Sequence, residues 1–298
     1  MTDITLLDGS IGQEIVKRSG DRATPLWSTS VMMEKPDIVS AVHGDYFRAG
    51  STIATTNTYA VHVDRLERVG LQDQQLPLLD RAMAAARRAR DAHGSGRIAV
   101  ALGPLGASYR PDLVIPPDQA QAAFATIARH LGPLADLMLI ETASSIAHAA
   151  DALRGAAQGG VPVWLAVTVR DDDGTRLRSG EPLADLAPLI DSARPAAILI
   201  NCTRPESVAP ALAILKTFGL PFGAYANGFT HISDGFLKDA PTVDALTQRR
   251  DLDPQAYADF AMNWVDQGAT IIGGCCEIGP AHIAEIARRL KAAGHAIV

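Results

Sequence analysis

The 298-residue chain contains three cysteines, and each follows the end of a short apolar run. Cys202 comes after AAILIN, and Cys275 and Cys276 come after TIIGG. Grouped thiolates are metal ligands or nucleophiles. Three of them without a fourth protein ligand describe a catalytic zinc site, in which the open position takes water or substrate. Adjacent side chains on a regular strand point to opposite faces. Cys275 and Cys276 can therefore face one point only if the backbone leaves strand geometry, and Gly273-Gly274 before them permits unusual dihedrals and close approach. Two other readings stay open. The cysteines could be small buried hydrophobes, or the adjacent pair could form a disulfide.

Asp8 and Glu141 also follow apolar runs directly. A carboxylate at such a place is a partner for a substrate ammonium. The eight histidines mostly fall in helical stretches, as helix-face residues; His231, in a loop, is the exception. Thr203-Arg204-Pro205-Glu206 matches the T-x-x-E capping box that opens a helix, whose free N–H groups could also hold a carboxylate. Gly279-Pro280 opens the last helical stretch in a similar way.

These residues need a scaffold that brings distant run ends together. Eight β-type runs alternate with eight amphipathic, often alanine-rich stretches. The expected strands are Ile4–Leu7, Thr52–Thr55, Ile98–Leu102, Leu137–Ile140, Val163–Val167, Ala197–Ile200, Phe222–Tyr225 and Thr270–Ile272. The expected helices are Pro36–Ala49, Gln74–His93, Gln119–Leu134, Ser145–Gln158, Leu183–Ser192, Glu206–Phe218, Pro254–Gln267 and Pro280–Ala293. Eight units in 298 residues give 298/8, or about 37 residues each, which suits a single α/β (β/α)8 TIM barrel spanning 1–298. Runs such as LMLI and AAILI are apolar throughout, as strands covered on both faces must be. A doubly wound open sheet would alternate in the same way. The count of eight and the polar motifs after most strands favour the barrel. Its C-terminal rim carries the chemistry, so the zinc site is expected at the ends of the sixth and eighth strands. Ser108–Asp118 and Gly228–Asp253 read as long rim loops.

Composition excludes several classes. The net charge is −6 with both signs interspersed, which leaves no footprint for nucleic acid. The N-terminus lacks signal-peptide grammar, and no run approaches a membrane span. An odd set of cysteines, two adjacent, suits a reducing compartment, so a cytoplasmic location is expected. The sequence leaves the oligomeric state open.

The motifs Asp8-Gly9-Ser10, Thr56-Asn57-Thr58-Tyr59, Gly103-Pro104, Glu141-Thr142, Asn201-Cys202 and Gly273-Gly274-Cys275-Cys276 lie in order over nearly the whole chain. Together they resemble the homocysteine S-methyltransferase family, and the Asn-Cys…Gly-Gly-Cys-Cys pair is the specific part. The resemblance implies a zinc-bearing barrel with Cys202, Cys275 and Cys276 as ligands. It puts homocysteine on Asp8, Gly9 and Glu141, with Asn201 beside the first ligand; Thr203 joins the expected substrate-binding set. Three departures stand out. Ser10 stands where many members have glycine or alanine, and Glu277 where many have glycine. Residues 225–232, YANGFTHI, replace a YPN-x-GE type of sequence. This last segment is expected to border the donor pocket and to stand clear of the zinc ligands.

The expected reaction moves a methyl group from a sulfonium, S-methylmethionine or S-adenosylmethionine, to the homocysteine thiol, giving methionine. A coordinated thiol is already deprotonated, so no general base is required. Trp27, Tyr59, Tyr109 and Phe229 are candidate walls for the cation. The alternatives are another thiol or selenol acceptor, a betaine-type or corrinoid donor, or a non-catalytic zinc or redox-sensing barrel. A lyase or aldolase would want a lysine at a strand end, and none of the five lysines is there.

Overall fold

The computed structural model describes residues 2–20, 26–232 and 246–298. The strands are β1 (Asp3–Leu6), β2 (Ile53–Thr55), β3 (Arg97–Leu102), β4 (Leu137–Ala143), β5 (Val163–Val167), β6 (Ala197–Asn201), β7 (Phe222–Tyr225), β8 (Ile271–Ile272) and β9 (Ala296–Ile297). β2 to β8 pair in chain order and β8 pairs β1, all in parallel. This is the expected TIM barrel, with all eight expected strands present to within a few residues.

Alternation along the strands builds two cores. Leu137, Leu139, Trp164, Ala166, Ala197 and Leu199 fill the barrel interior. Their neighbours Met138, Ile140, Leu165, Val167, Ile198 and Ile200 face the surrounding helices. A parallel strand covered on both sides needs apolar residues at both parities, which is why these runs read as continuous. A fully buried aliphatic side chain contributes roughly 1.5–3 kcal/mol, whereas exposed ion pairs such as Arg88–Asp37 contribute about 0–1 kcal/mol. The cores therefore set the stability.

The seam between β1 and β2 closes through single contacts. Thr52 N donates to Leu6 O at 2.8 Å, and Thr55 N donates to the Asp8 carboxylate at 2.6 Å. At the opposite end β9 pairs with Asp3 and Ile4, and Thr52 Oγ1 donates to Val298 O. This ninth strand lies outside the expected set, because two residues carry no periodicity.

Among the described residues the α-helices are α1 (Ile11–Arg18), α2 (Ser28–Glu34), α3 (Pro36–Ala49), α4 (Val63–Glu67), α5 (Gln75–His93), α6 (Pro117–Leu131), α7 (Ile146–Ala156), α8 (Ala187–Ala193), α9 (Val208–Leu215), α10 (Pro254–Asp266) and α11 (Pro280–Ala292). The eight expected helices correspond to α3 and α5 to α11. The extra α1, α2 and α4 are short and lie in the stretches after β1 and β2. Ser145 caps α7 through His148 N, and Asp253 caps α10 through Ala256 N. The expected Thr203 cap does not form. Thr203 Oγ1 donates to Val169 O, the following helix starts as a 3-10 turn at Pro205, and Glu206 pairs with Arg249. Within the expected long loop Gly228–Asp253, residues 233–245 lie outside the described residues. No described helix is long and apolar enough to cross a membrane.

Candidate functional site

The C-terminal rim of the barrel opens onto a cavity of about 360 Å3. Asp8, Gly9, Glu141, Cys202, Cys275 and Cys276 all line it, as do the aromatic candidates Trp27, Tyr59, Tyr109 and Phe229. The strand ends have thus brought together residues up to 268 positions apart (276 − 8). Asn201, Thr203 and His231 do not line it. His231 is exposed, and Asn201 and Thr203 are buried behind the wall.

The three cysteine sulfurs lie within 4.8 Å of one another. Cys202 and Cys275 are joined as a disulfide with Cα atoms 5.7 Å apart, and Cys275 and Cys276 sulfurs are 4.0 Å apart. The bonded pair is therefore not the adjacent one. Two thiolates on tetrahedral zinc, each at about 2.3 Å, stand roughly 3.8 Å apart, so the reduced trio fits a metal of that kind. Among the described residues no fourth His, Cys, Asp or Glu joins the cluster. That leaves the donor set open on the cavity side. Burial, followed by the nearby Glu277 and Glu141 carboxyls, pushes the Cys276 thiol up to about 12. Such a thiol ionises near neutrality only beside a strong cation.

The backbone turns that converge the sulfurs differ from the expected ones. Gly273 and Gly274 are not in the left-handed region. They are needed for close approach, since a Cβ there would lie 2.5 Å from Leu7 Cβ and 2.3 Å from Ile278 Cγ2. The left-handed residues are Cys202 at φ 47° and Glu277 at φ 67°. Glu277 is held by α1, which follows directly on the Asp8 loop. Gln13 Oε1 accepts from Glu277 N at 2.6 Å, Gln13 Nε2 donates to Glu277 Oε1 at 2.5 Å, and Lys17 Nζ lies 2.9 Å from Oε2. Residues 225–232 do not stand clear of the cysteines, contrary to expectation. Cys275 N donates to Ala226 O and Gly228 N donates to Cys276 O. The reason is that β7 and β8 are neighbours, so the chains leaving them continue to pair. Tyr225 and Phe229 of this segment line the cavity.

The acids differ in their surroundings. Both oxygens of Asp8 accept from Thr55, from N at 2.6 Å and from Oγ1 at 2.8 Å. Burial raises its carboxyl well above the usual range, and the Thr55 hydrogen bonds oppose this. Glu141 sits at the cavity wall beside the Tyr225 hydroxyl. Burial pushes it up to about 7, and the hydroxyl offsets part of that rise. Thr142, the next residue, is left-handed at φ 60°, and Asn201 fixes it. Asn201 Oδ1 accepts from Thr142 N at 2.9 Å, and Nδ2 donates to Thr142 Oγ1 at 3.1 Å. Asn201 therefore orients the peptide that carries Glu141. Gly9 is required because a Cβ would sit 2.1 Å from Ile278 O. Tyr59 and Tyr109 already carry the guanidinium groups of Arg65 and Arg178 over their rings, at 5.6 and 5.2 Å.

Sequence reasoning missed Gln13 and Arg65, both on the cavity wall. Ser10-Ile11-Gly12-Gln13 has the S-x-x-Q spacing of a capping box, which would have turned attention to Gln13. In the structure the two side chains bond each other at 3.1 Å. Arg65 sits on a five-residue helix with no flanking signal.

Comparison with known proteins gives a consistent result. The family model described as homocysteine S-methyltransferase matches residues 5–290. The chain is 31% identical to the homocysteine S-methyltransferase of Escherichia coli (strain K12), covering 96% of this chain and 95% of that one. It is 28% identical to a homocysteine S-methyltransferase of Bacillus subtilis (strain 168), over 95% and 93% of the two chains. Among solved structures, the metallated form of the Escherichia coli homocysteine methyltransferase MmuM superposes with a TM-score of 0.80 at 29% identity, covering 97% of this chain and 96% of that chain. The oxidized form of the same protein gives 0.81.

Proposed function

This chain belongs to the homocysteine S-methyltransferase family, methyltransferases that act on homocysteine, and from that premise we propose that it moves a methyl group from a sulfonium donor to homocysteine with the help of zinc. The convergence of Cys202, Cys275 and Cys276 on the wall that also carries Glu141 is the observation that supports this most.

The three reduced cysteines would hold the zinc ion, with the cavity side left for the substrate sulfur. Zinc bound there supplies the positive charge that keeps a substrate thiol ionised at neutral pH. Glu141 receives the substrate ammonium, aimed by the Asn201–Thr142 pair behind it. Asp8, already anchored by Thr55, has lone pairs left to accept from the same ammonium. Gly9 lets the Asp8 loop close against Ile278. Thr203 shapes the site from behind by tying the β6 end to Val169.

The substrate sulfur attacks the methyl carbon in line with the departing sulfur. A new S–C bond forms, the donor S–C bond breaks, and its electron pair stays on the donor sulfur, which leaves neutral. The thiol proton has already passed to water, so no general base is needed. Holding two small reactants in line within the cavity supplies most of the remaining rate. Clustered thiolates attract a cationic donor, which supports a sulfonium over an uncharged methyl source.

The test measures methionine formed from homocysteine with S-methylmethionine, S-adenosylmethionine and betaine in parallel, with metal content determined on the same reduced protein. Methionine from a sulfonium donor, in proportion to bound zinc, is expected. Turnover independent of zinc, or with betaine alone, would overturn the assignment.

A further inference from the structure

Arg65 is a charge on the cavity wall that the reaction described above does not use. It lies on α4 and lines the cavity, and Arg68, just past the end of that helix, lines it too. Its Nη2 donates to Pro104 O at 2.8 Å, and its guanidinium lies 5.6 Å above the Tyr59 ring. Its Nε is buried without a hydrogen-bond partner. Among the described residues no carboxylate forms a salt bridge with it. The neighbouring Asp64 favours the charge through space without pairing with it, and its Oδ2 accepts from Gly106 N at 2.6 Å. Tyr59 is itself fixed by a 2.7 Å hydrogen bond between its hydroxyl and Ser108 Oγ.

A largely enclosed guanidinium with no direct ion pair, and with one N–H unbonded, gains when an anion binds it. Its planar fork matches a carboxylate, and charge-assisted bonds of that kind are among the stronger ones in proteins. The same cavity carries Glu141 and Asp8. It thus offers a cation and carboxylates to one ligand, the complement of a zwitterion.

We infer that Arg65 is the carboxylate anchor of this cavity, receiving the α-carboxylate of an amino-acid substrate; this rests on the methyl-transfer reading only for which substrate that is. Both homocysteine and S-methylmethionine carry the group, and the methyl transfer turns each of them into methionine. Methionine is therefore a probe for either position.

The experiment titrates wild type, Arg65→Met and Arg65→Lys calorimetrically with L-methionine and with 3-(methylthio)propylamine, the same molecule without its carboxylate. Loss of a charge-assisted bond predicts methionine binding about 10–100-fold weaker in Arg65→Met, with a smaller loss in Arg65→Lys. The amine should bind all three proteins equally. Steady-state KM values for homocysteine and for S-methylmethionine then show which one uses the anchor, as only that KM should rise while kcat holds. The inference is overturned if Arg65→Met binds methionine like wild type, if methionine and the amine weaken together, or if wild type does not bind methionine. A wild type that binds methionine through Arg65 but forms none from homocysteine would sink the functional reading and leave the anchor standing. Arg65→Lys keeps the test open should Arg65→Met fail to fold.

Discussion

Gln13 and Glu277, 264 positions apart, exchange two hydrogen bonds, one to the Glu277 backbone N–H and one to its carboxylate. This pair holds the residue after Cys276 in a left-handed conformation at φ 67°, which glycine adopts freely and other residues avoid. The turn that aims two adjacent cysteines at one point is thus maintained by α1, from the opposite end of the chain.

Replacing Gln13 with alanine should therefore loosen the metal site without removing a ligand. Residues that support metal ligands typically alter affinity by about 10–100-fold. Competition between the reduced protein and a chromophoric chelator for zinc or cobalt should register a loss of that order. Affinity equal to wild type would show that the Cys275-Cys276 turn holds itself.

Cys275→Ser should lose both metal and turnover, because the remaining two thiolates leave half the coordination shell empty. The fold of the reduced protein should persist, since Cys275 touches only the edge of the apolar inner core and serine is nearly the same size. Circular dichroism and metal analysis on one sample check both points. A variant with full zinc and full activity would remove Cys275 from the ligand set.

Glu141 makes the acceptor KM depend on pH. Its carboxyl is pushed up to about 7 by burial, so it is largely neutral at pH 6 and ionised at pH 8. An ammonium binds the ionised form, so KM for homocysteine should fall as pH rises through about 7 and then level off. Glu141→Gln should raise KM roughly 10-fold or more at pH 8 and flatten its profile below that. An unchanged KM at pH 8 would take Glu141 out of ammonium binding.

His43, on α3, is 1% exposed, and burial lowers its pKa from 6.5 to about 4. The folded state therefore binds fewer protons than the unfolded chain between these values. The stability it allows is complete above pH 6.5 and is lost progressively as pH falls toward 4. The loss amounts to about 3 kcal/mol at most. Glu141 works in the opposite direction between 4.5 and about 7, because its folded-state carboxyl prefers to be protonated. The comparison must therefore be a difference. Urea midpoints of wild type and His43→Leu at pH 7.5 and pH 4.5 should show a smaller acid loss in the variant. Parallel losses would assign the effect elsewhere.

The barrel was legible because its strands are apolar at both parities and its helices are long. LMLI and AAILI could be placed to within a few residues, and the cysteines and acids at their ends followed from that placement. What escaped has a common physical basis. The short helices α1, α2 and α4 have too few turns for periodicity to show. The supports at Gln13–Glu277 and Asn201–Thr142 join residues far apart in sequence, and no local pattern reports such pairs. Thr203 shows the reverse error. Its T-x-x-E spacing is right for a cap, but the helix starts later, as a 3-10 turn at Pro205, and the Thr203 hydroxyl donates to Val169 O instead. Likewise the Gly273-Gly274 pair stands out in the sequence, though what it supplies is room beside Leu7 and Ile278, and the reversed backbone belongs to Cys202 and Glu277.

Asn201 spans from the end of β6 to the end of β4, over the top of β5, and it is the immediate neighbour of Cys202. It works as a linkage bar between two parts of the site that share no strand. If the Cys202 backbone shifts when its sulfur changes partner, the pull passes through one amide to the peptide that carries Glu141. The cysteine end and the Glu141 end of the cavity are in this way geared together, so a change of backbone at one is felt at the other.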